Sequence, residues 1–347
     1  MAEADAPVSV IRETSRNRLK LNRRMHREVE SDAQRSVESK SLSSDQIADI
    51  ANRLKSKSKV TTAELHLLKN ALIDDAKHLN VVLGTQGALR GLVREISGTD
   101  VRRQCAAAGC ICNLALGDSK SCWTVAKATG SYLVAALDSL TVELAVTCAW
   151  AVGNVAGGGA RVCQLLVSQG AGGKLAGTLR AGGERRAAAL YAALRLAYQL
   201  GDELSVELLE KILEGLFKYK QQCSASSQLL FILSCHNHFE NREFPEKYLQ
   251  ELLKSTTVSI GKHVSTCKQN RCCEIVYLFR ALANFVISER ICSIILNSFV
   301  DNDIFKYYPA ILKSENKNLV KSLLWLLGVL YKYCDQKDVL TQIIGIS

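Results

Sequence analysis

The stretch "VTCAWAVGNVAGGG", residues 146–159, decides the fold. Read as a helix, it sets Trp150 and Asn154 one turn apart on the same face. Small apolar residues, Ala145, Cys148, Ala149, Val152 and Ala156, cover another side and let neighbouring helices approach closely. A glycine cluster, Gly157 to Gly159, then stops the helix. The segment has echoes. "CAAAGCICNLALGD" puts Asn113 at the place of Asn154, 41 residues earlier, and "AALYAALRLAYQLGD" puts Tyr191 and Arg195 at the places of Trp150 and Asn154, 41 residues later. Further on, Phe231 and Cys235, then Arg280 and Asn284, then Trp325 and Val329 hold the two positions at steps of 40, 49 and 45 residues. A second marker travels with the first. Gly87, Gly130 and Gly170 each open a short segment that runs into Leu/Val-rich helix.

Two markers repeating at nearly one period, all helical and roughly 40–47 residues long, predict an all-α superhelical solenoid of the armadillo or HEAT kind, armadillo-type, with about seven repeats. A single unit cannot bury its apolar face, so stacked units share one core. Composition agrees. Of 347 residues, 48% are hydrophobic and only three are proline, which leaves long stretches free for helix. The 13 cysteines do not form a disulfide framework. Cys105, Cys110, Cys112, Cys148, Cys235 and Cys292 fall inside predicted helices among apolar residues and read as small buried hydrophobes. The N-terminus is polar, without the apolar core of a signal peptide. The longest clean apolar run, Leu323 to Tyr331, is nine residues, too short to span a bilayer. These features predict a soluble protein of the cytoplasm and nucleus. The net charge of +10 is spread along the chain and does not by itself mark a nucleic-acid binder.

Taken in order, residues 1–42 form a polar, basic tail and residues 43–347 the repeat array. Arg12, Arg16, Arg18, Lys20, Arg23, Arg24 and Arg27 crowd the tail, followed at once by Glu28 and Val29. Gly and Pro are absent from residue 8 to residue 83, so the tail can become helical on a partner. Ser43, Ser44 or Asp45 caps a first helix bearing Ile47, Ile50, Ala51 and Leu54, and Thr61 or Thr62 caps the next. Beyond Gly201 the spacing loosens, and "HNHFENREFPEK" and "KHVSTCKQNRC" read as long connections. "VLTQIIGIS" reads as a further helix or a final cap.

Catalytic and cofactor signals are weak. "CHNH" at Cys235–His238 invites a zinc reading with Cys223, but His236 and His238 fall on different helix faces and no Cys-x-x-Cys accompanies them. "GAGGKLAG" at Gly170 lacks the phosphate-loop spacing, and Leu175 stands where Ser or Thr would hold magnesium. No nucleophile–base set or carboxylate pair stands out. The chain reads as a non-enzyme, with no cofactor and no metal site, that works by binding.

The phrase around Trp150 and Asn154, together with the arginine run, resembles importin-alpha, and within that family the divergent transmembrane and coiled-coil domain-containing protein six group. Members begin with a basic importin-beta-binding segment and continue into armadillo repeats whose third helices carry Trp and Asn at this spacing. Arg23, Arg24, Arg27, Glu28 and Val29 match the tail motif. Asn113 and Asn284 match the Asn only, opposite Gly109 and Arg280, and Trp325 matches the Trp only, opposite Val329. The resemblance implies a nuclear import adaptor whose tail binds importin-beta. It also implies a concave groove, formed here by Asn113, Trp150, Asn154, Tyr191, Arg195, Asn284 and Trp325, that holds a protein cargo. Asn amides would grip an extended backbone and Trp faces would hold Lys side chains. The runner-up is an armadillo scaffold without import activity: the intact arginine run favours the adaptor, and the degraded Trp–Asn ladder, with cations at Arg195 and Arg280 where the family has neutral groups, favours the scaffold.

Overall fold

The first two helices are fixed by reciprocal caps. Helix α1, Ser44–Ser56, starts at Ser43, whose hydroxyl accepts the Gln46 N–H while the Gln46 amide accepts the Ser43 N–H. Helix α2, Thr62–Asp74, repeats the device with Thr61 and Glu64. Such boxes satisfy backbone donors that a helix start leaves orphaned. Glu64 also takes Arg53 Nη2 at 2.6 Å, which ties the two helices together. The computed structural model describes residues 42–219, 223–240, 244–266 and 272–335. The tail residues Arg12 to Val29 and the whole segment "VLTQIIGIS" lie outside them.

Helices then follow in repeats of two or three. They are α3 Ala76–Gly84, α4 Ala88–Ile96 and α5 Val101–Leu114, then α6 Ser119–Ala136 and α7 Val142–Ala156, then α8 Ala160–Ser168, α9 Ala171–Thr178 and α10 Gly183–Leu200. After a 3-10 turn at Gly201–Glu203 come α11 Val206–Lys218 and α12 Ser224–Ser234. A 3-10 turn at Asn237–Glu240 leads to α13 Phe244–Thr266 and α14 Cys272–Phe285. The last repeat has α15 Glu289–Asp301, a 3-10 turn at Ile304–Tyr307, α16 Tyr308–Leu312 and α17 Lys317–Tyr333. No strand occurs among the described residues. Each repeat closes on a long third helix, and there are seven of these among the described residues: α2, α5, α7, α10, α12, α14 and α17. This is the all-α armadillo-type architecture.

The array divides into two compact units. One contains α1 to α9 and nearly all of α10, and the other contains Leu179–Gly182 and everything from Leu200 onward. In the first, α2 packs on α5 and α5 on α7; in the second, α12 packs on α14 and α14 on α17. The first unit buries small residues between third helices, among them Ala106, Ala107, Ala108, Cys110, Cys148, Ala149, Ala188, Ala189, Ala192 and Ala193. The second buries larger ones, with Phe279, Phe285, Phe299, Leu323 and Leu326 all fully enclosed.

The glycine markers have two different causes. Gly87 and Gly170 sit at φ +97° and +91° at the starts of α4 and α9, a left-handed conformation that favours glycine. Gly130, expected to open a helix, lies instead inside α6, which runs unbroken from Ser119 to Ala136. A β-carbon there would run into the Gln169 side chain, whose Nε2 donates to Ala126 O on the same helix. Close approach, not a turn, accounts for this glycine. Two further expectations change. The stretch "KHVSTCKQNRC" is helical as far as Thr266. Cys235 is exposed, unlike Cys105, Cys110, Cys112, Cys148 and Cys292, which are buried.

Candidate functional site

The third helices bring the repeat markers into register. Asn154 on α7 is buried and bonded through both ends of its amide. Its Nδ2 donates to Cys112 O on α5 at 3.0 Å, and its Oδ1 accepts the Tyr191 hydroxyl of α10 at 2.8 Å. One amide thus staples three successive third helices. Asn113, also buried, donates to Lys69 O on α2. In the second unit Asn284 donates to Ser234 Oγ at 3.0 Å, at the end of the preceding third helix. All three asparagines reach back to the third helix before them, Asn154 and Asn284 to its last turn and Asn113 to a residue about one turn further in. A buried carbonyl left without a partner there would cost about 1–3 kcal/mol.

The aromatic positions are arranged differently. Trp150 is half-buried and meets the Tyr191 ring at 4.5 Å between centroids, tilted by 42°. Gly153, one turn on, lets α10 approach, because a β-carbon would lie 3.1 Å from the Ala192 Cα and closer still to the Tyr191 ring. The Arg195 guanidinium lies 5.4 Å from the same ring, a cation–π distance. In the preceding repeat the Trp position is Gly109, and the Lys69 stem lies against it. A small crevice lined by Gly153, Asn154, Tyr191, Arg195 and the 115–117 loop marks the end of this row.

The second unit carries its markers in another style. The Arg280 guanidinium lies 5.8 Å from the Phe231 ring centroid, and its Nε donates to buried Ser322 Oγ on α17 at 3.0 Å. Phe231 and Tyr277 stack at 6.0 Å. Trp325 is 63% exposed, with Lys321 one turn before it on the same exposed stripe of α17. The sequence reading omitted Lys69, Tyr277, Lys321 and Ser322. All but Lys69 lie one turn N-terminal to a marker position, so extending the register by three or four residues would have found them.

A fold comparison fits this layout. The chain is similar to an engineered protein of known crystal structure, at TM-score 0.66 and 19% identity over 82% of this chain and 68% of that one. A designed armadillo repeat protein aligns more loosely, at TM-score 0.49 and 18% identity over 82% of this chain and 99% of that one. A related designed armadillo protein, in complex with a (KR)4 peptide, aligns at 0.47 and 17% identity over 82% of this chain and 99% of that one. At these identities the likeness is one of fold. No family model and no curated protein matches the sequence.

The remaining candidates take structural roles. His236 is buried: its Nδ1 accepts the His238 N–H at 3.1 Å and its Nε2 meets Leu204 O at 2.9 Å, so both ring nitrogens are occupied. No group of three or more His, Cys, Asp or Glu side chains that could hold a metal lies among the described residues. No helix among them is long and apolar enough to cross a membrane. Burial pushes the Cys105 thiol up to about 11 and the Cys163 and Cys292 thiols up to about 12, which suppresses thiolate chemistry at neutral pH.

Proposed function

We propose that this chain is a protein-binding adaptor whose partner-reading surface is the row of third helices. The observation that carries the reading is the register itself. Trp150 on Tyr191 in one unit, and Phe231, Arg280 and Trp325 in the other, occupy equivalent positions on successive third helices. Ring faces and cations repeated at this spacing suit an extended peptide, whose side chains fall at regular intervals. In the more specific form of the proposal, the tail engages importin-beta through Arg23, Arg24 and Arg27, and the protein acts in nuclear import, moving between cytoplasm and nucleus. That form rests on the tail sequence and its resemblance to importin-alpha.

A second reading, a scaffold with no import activity, is favoured by one specific feature. Asn154 has its carbonyl and a donor committed to Tyr191 and Cys112, which leaves at most one N–H for a cargo backbone. The Asn side chains here hold helices together, so any peptide would be read by aromatic and charged groups.

Titrating importin-beta with the full chain, a version lacking residues 1–42 and an Arg23, Arg24, Arg27→Ala triple variant separates the two. Sub-micromolar binding abolished by both changes supports the import adaptor. An intact chain that does not bind importin-beta leaves the scaffold.

A further inference from the structure

The third helices of the second unit, α12, α14 and α17, carry four cations, Arg280, Lys317, Lys321 and Lys332, and one carboxylate, Glu274. Glu274 accepts the Ser259 hydroxyl of α13, so it is committed to the second helix of its own repeat. Asp202 accepts the Asn237 N–H at the far end of α12. None of the four cations makes an ion pair among the described residues. Arg280 is the most telling. Its Nε is fixed by Ser322, its carbon sits against Phe231, and the side chain is half-buried. Its two terminal nitrogens make no hydrogen bond or ion pair among the described residues. A guanidinium held at one edge and over one ring keeps its other edge pre-organised as a two-pronged donor, the geometry that matches a carboxylate.

Apolar surface lies along the same stripe. Leu324 and Trp325 are 52% and 63% exposed on α17, and Lys321 is one turn away. Several cations on the other helices of this unit are paired. Lys247 lies between Glu210 and Glu214, Arg180 also meets Glu214, and Arg290 meets Glu246. The third helices α14 and α17 therefore carry a net positive charge of their own. Nucleic acid would need a longer basic track along its phosphates.

From this we infer that the face formed by Phe231, Tyr277, Arg280, Lys321 and Trp325 binds an acidic peptide segment, with Arg280 taking a carboxylate and Trp325 an adjacent apolar side chain. The inference rests on the third helices being the partner-reading surface, and it assigns that surface the opposite charge preference from a receptor for basic signals. Charge complementarity sets the preference, since like charges facing each other across an interface repel.

The test is fluorescence polarisation with the full chain. Three labelled probes are used: an Asp/Glu decapeptide with a central Leu-Phe, an alternating Lys/Arg octapeptide, and oligothymidylate. The acidic peptide is expected to bind and to weaken as salt rises. Its affinity should drop roughly tenfold or more in Arg280→Glu and roughly threefold to tenfold in Lys321→Glu and Trp325→Ala. The latter two residues are exposed, so these variants keep their melting temperature even if Arg280→Glu does not. Tighter binding of the Lys/Arg peptide or of oligothymidylate, no binding of the acidic peptide, or binding indifferent to Lys321→Glu and Trp325→Ala would overturn the inference. If the Lys/Arg peptide binds and Trp325→Ala weakens it, the partner-reading surface stands while the charge preference falls. If none of the probes responds to any of the variants, only importin-beta binding through the tail remains to support the adaptor.

Discussion

The two units reach the same repeat with different packing. Between the third helices of the first, Ala, Gly and Cys predominate, and Gly153 lets α10 come within contact of α7. Helices this close put backbone carbonyls within reach of a side-chain amide, so Asn113 and Asn154 can staple one helix to the next. The second unit packs Phe and Leu between its third helices. Its cross-links then come from groups with more reach or from hydroxyls: Arg280 to Ser322 and Asn284 to Ser234. Side-chain volume decides which polar group can bridge the gap. Short polar bridges go with small interiors, and a long cation goes with a bulky one.

The difference should be plainest in thiol chemistry. Cys105, Cys110, Cys112, Cys122, Cys148 and Cys163 of the first unit are all buried, whereas Cys223, Cys235 and Cys273 of the second are exposed. Labelling of the native protein with a thiol reagent, followed by peptide mapping, should modify the exposed set roughly a hundredfold faster or more. Comparable rates at Cys148 and Cys273 would mean that the small-residue interior opens freely.

Large-to-small substitution comes next. Phe279→Ala in the second unit should cost about 3–5 kcal/mol in denaturant unfolding, because a fully buried ring is lost from a core of large side chains. A cost below about 1 kcal/mol would show that this core can collapse around the gap.

The staples give a smaller and more discriminating effect. Asn154→Ala removes a hydrogen bond from both Cys112 O and the Tyr191 hydroxyl and should cost about 1–3 kcal/mol. Asn284→Ala loses a bond to a side-chain hydroxyl at a half-buried site and should cost about 1 kcal/mol or less. Equal costs would erase the distinction between the two kinds of bridge.

The smallest effect concerns pH. The Arg53 guanidinium, with the Thr61 N–H and hydroxyl, holds the Glu64 carboxyl down at about 2. A carboxylate depressed in the folded state stabilises above its ordinary range and loses that contribution as pH falls toward its folded value. The pair is partly exposed, so Glu64→Gln should cost about 1 kcal/mol at neutral pH, with the gap to wild type closing as pH falls toward 2. Melting curves across that range check it, and a gap that widens in acid would refute the linkage.

Much of this was legible in the sequence because period and capping are local signals. Ser43, Thr61, the Gly157–Gly159 stop and the recurrence of Trp150 and Asn154 depend on residues close together or on a count. What the amides bond to was not legible. The partner of Asn154 is a carbonyl 42 residues back, and nothing near Asn154 reports how closely the two helices approach. Gly130 was misread for the same reason: its constraint is Gln169 on a neighbouring helix. Cys235 follows a helical apolar run, but it sits at the helix end, where the surface begins. The charge preference of the third-helix face had a trace in Arg195 and Arg280, yet the fixing of Arg280 by Ser322 required the fold.

The measurement that bears most directly on the third-helix face as the binding surface is site-specific photo-crosslinking in cells. A photoreactive phenylalanine analogue is placed in turn at Trp150, at Trp325 and at Val258, which is exposed on the second helix α13. The account predicts protein adducts from the first two positions and little from Val258. Adducts from Val258 with none from Trp150 or Trp325 would contradict it.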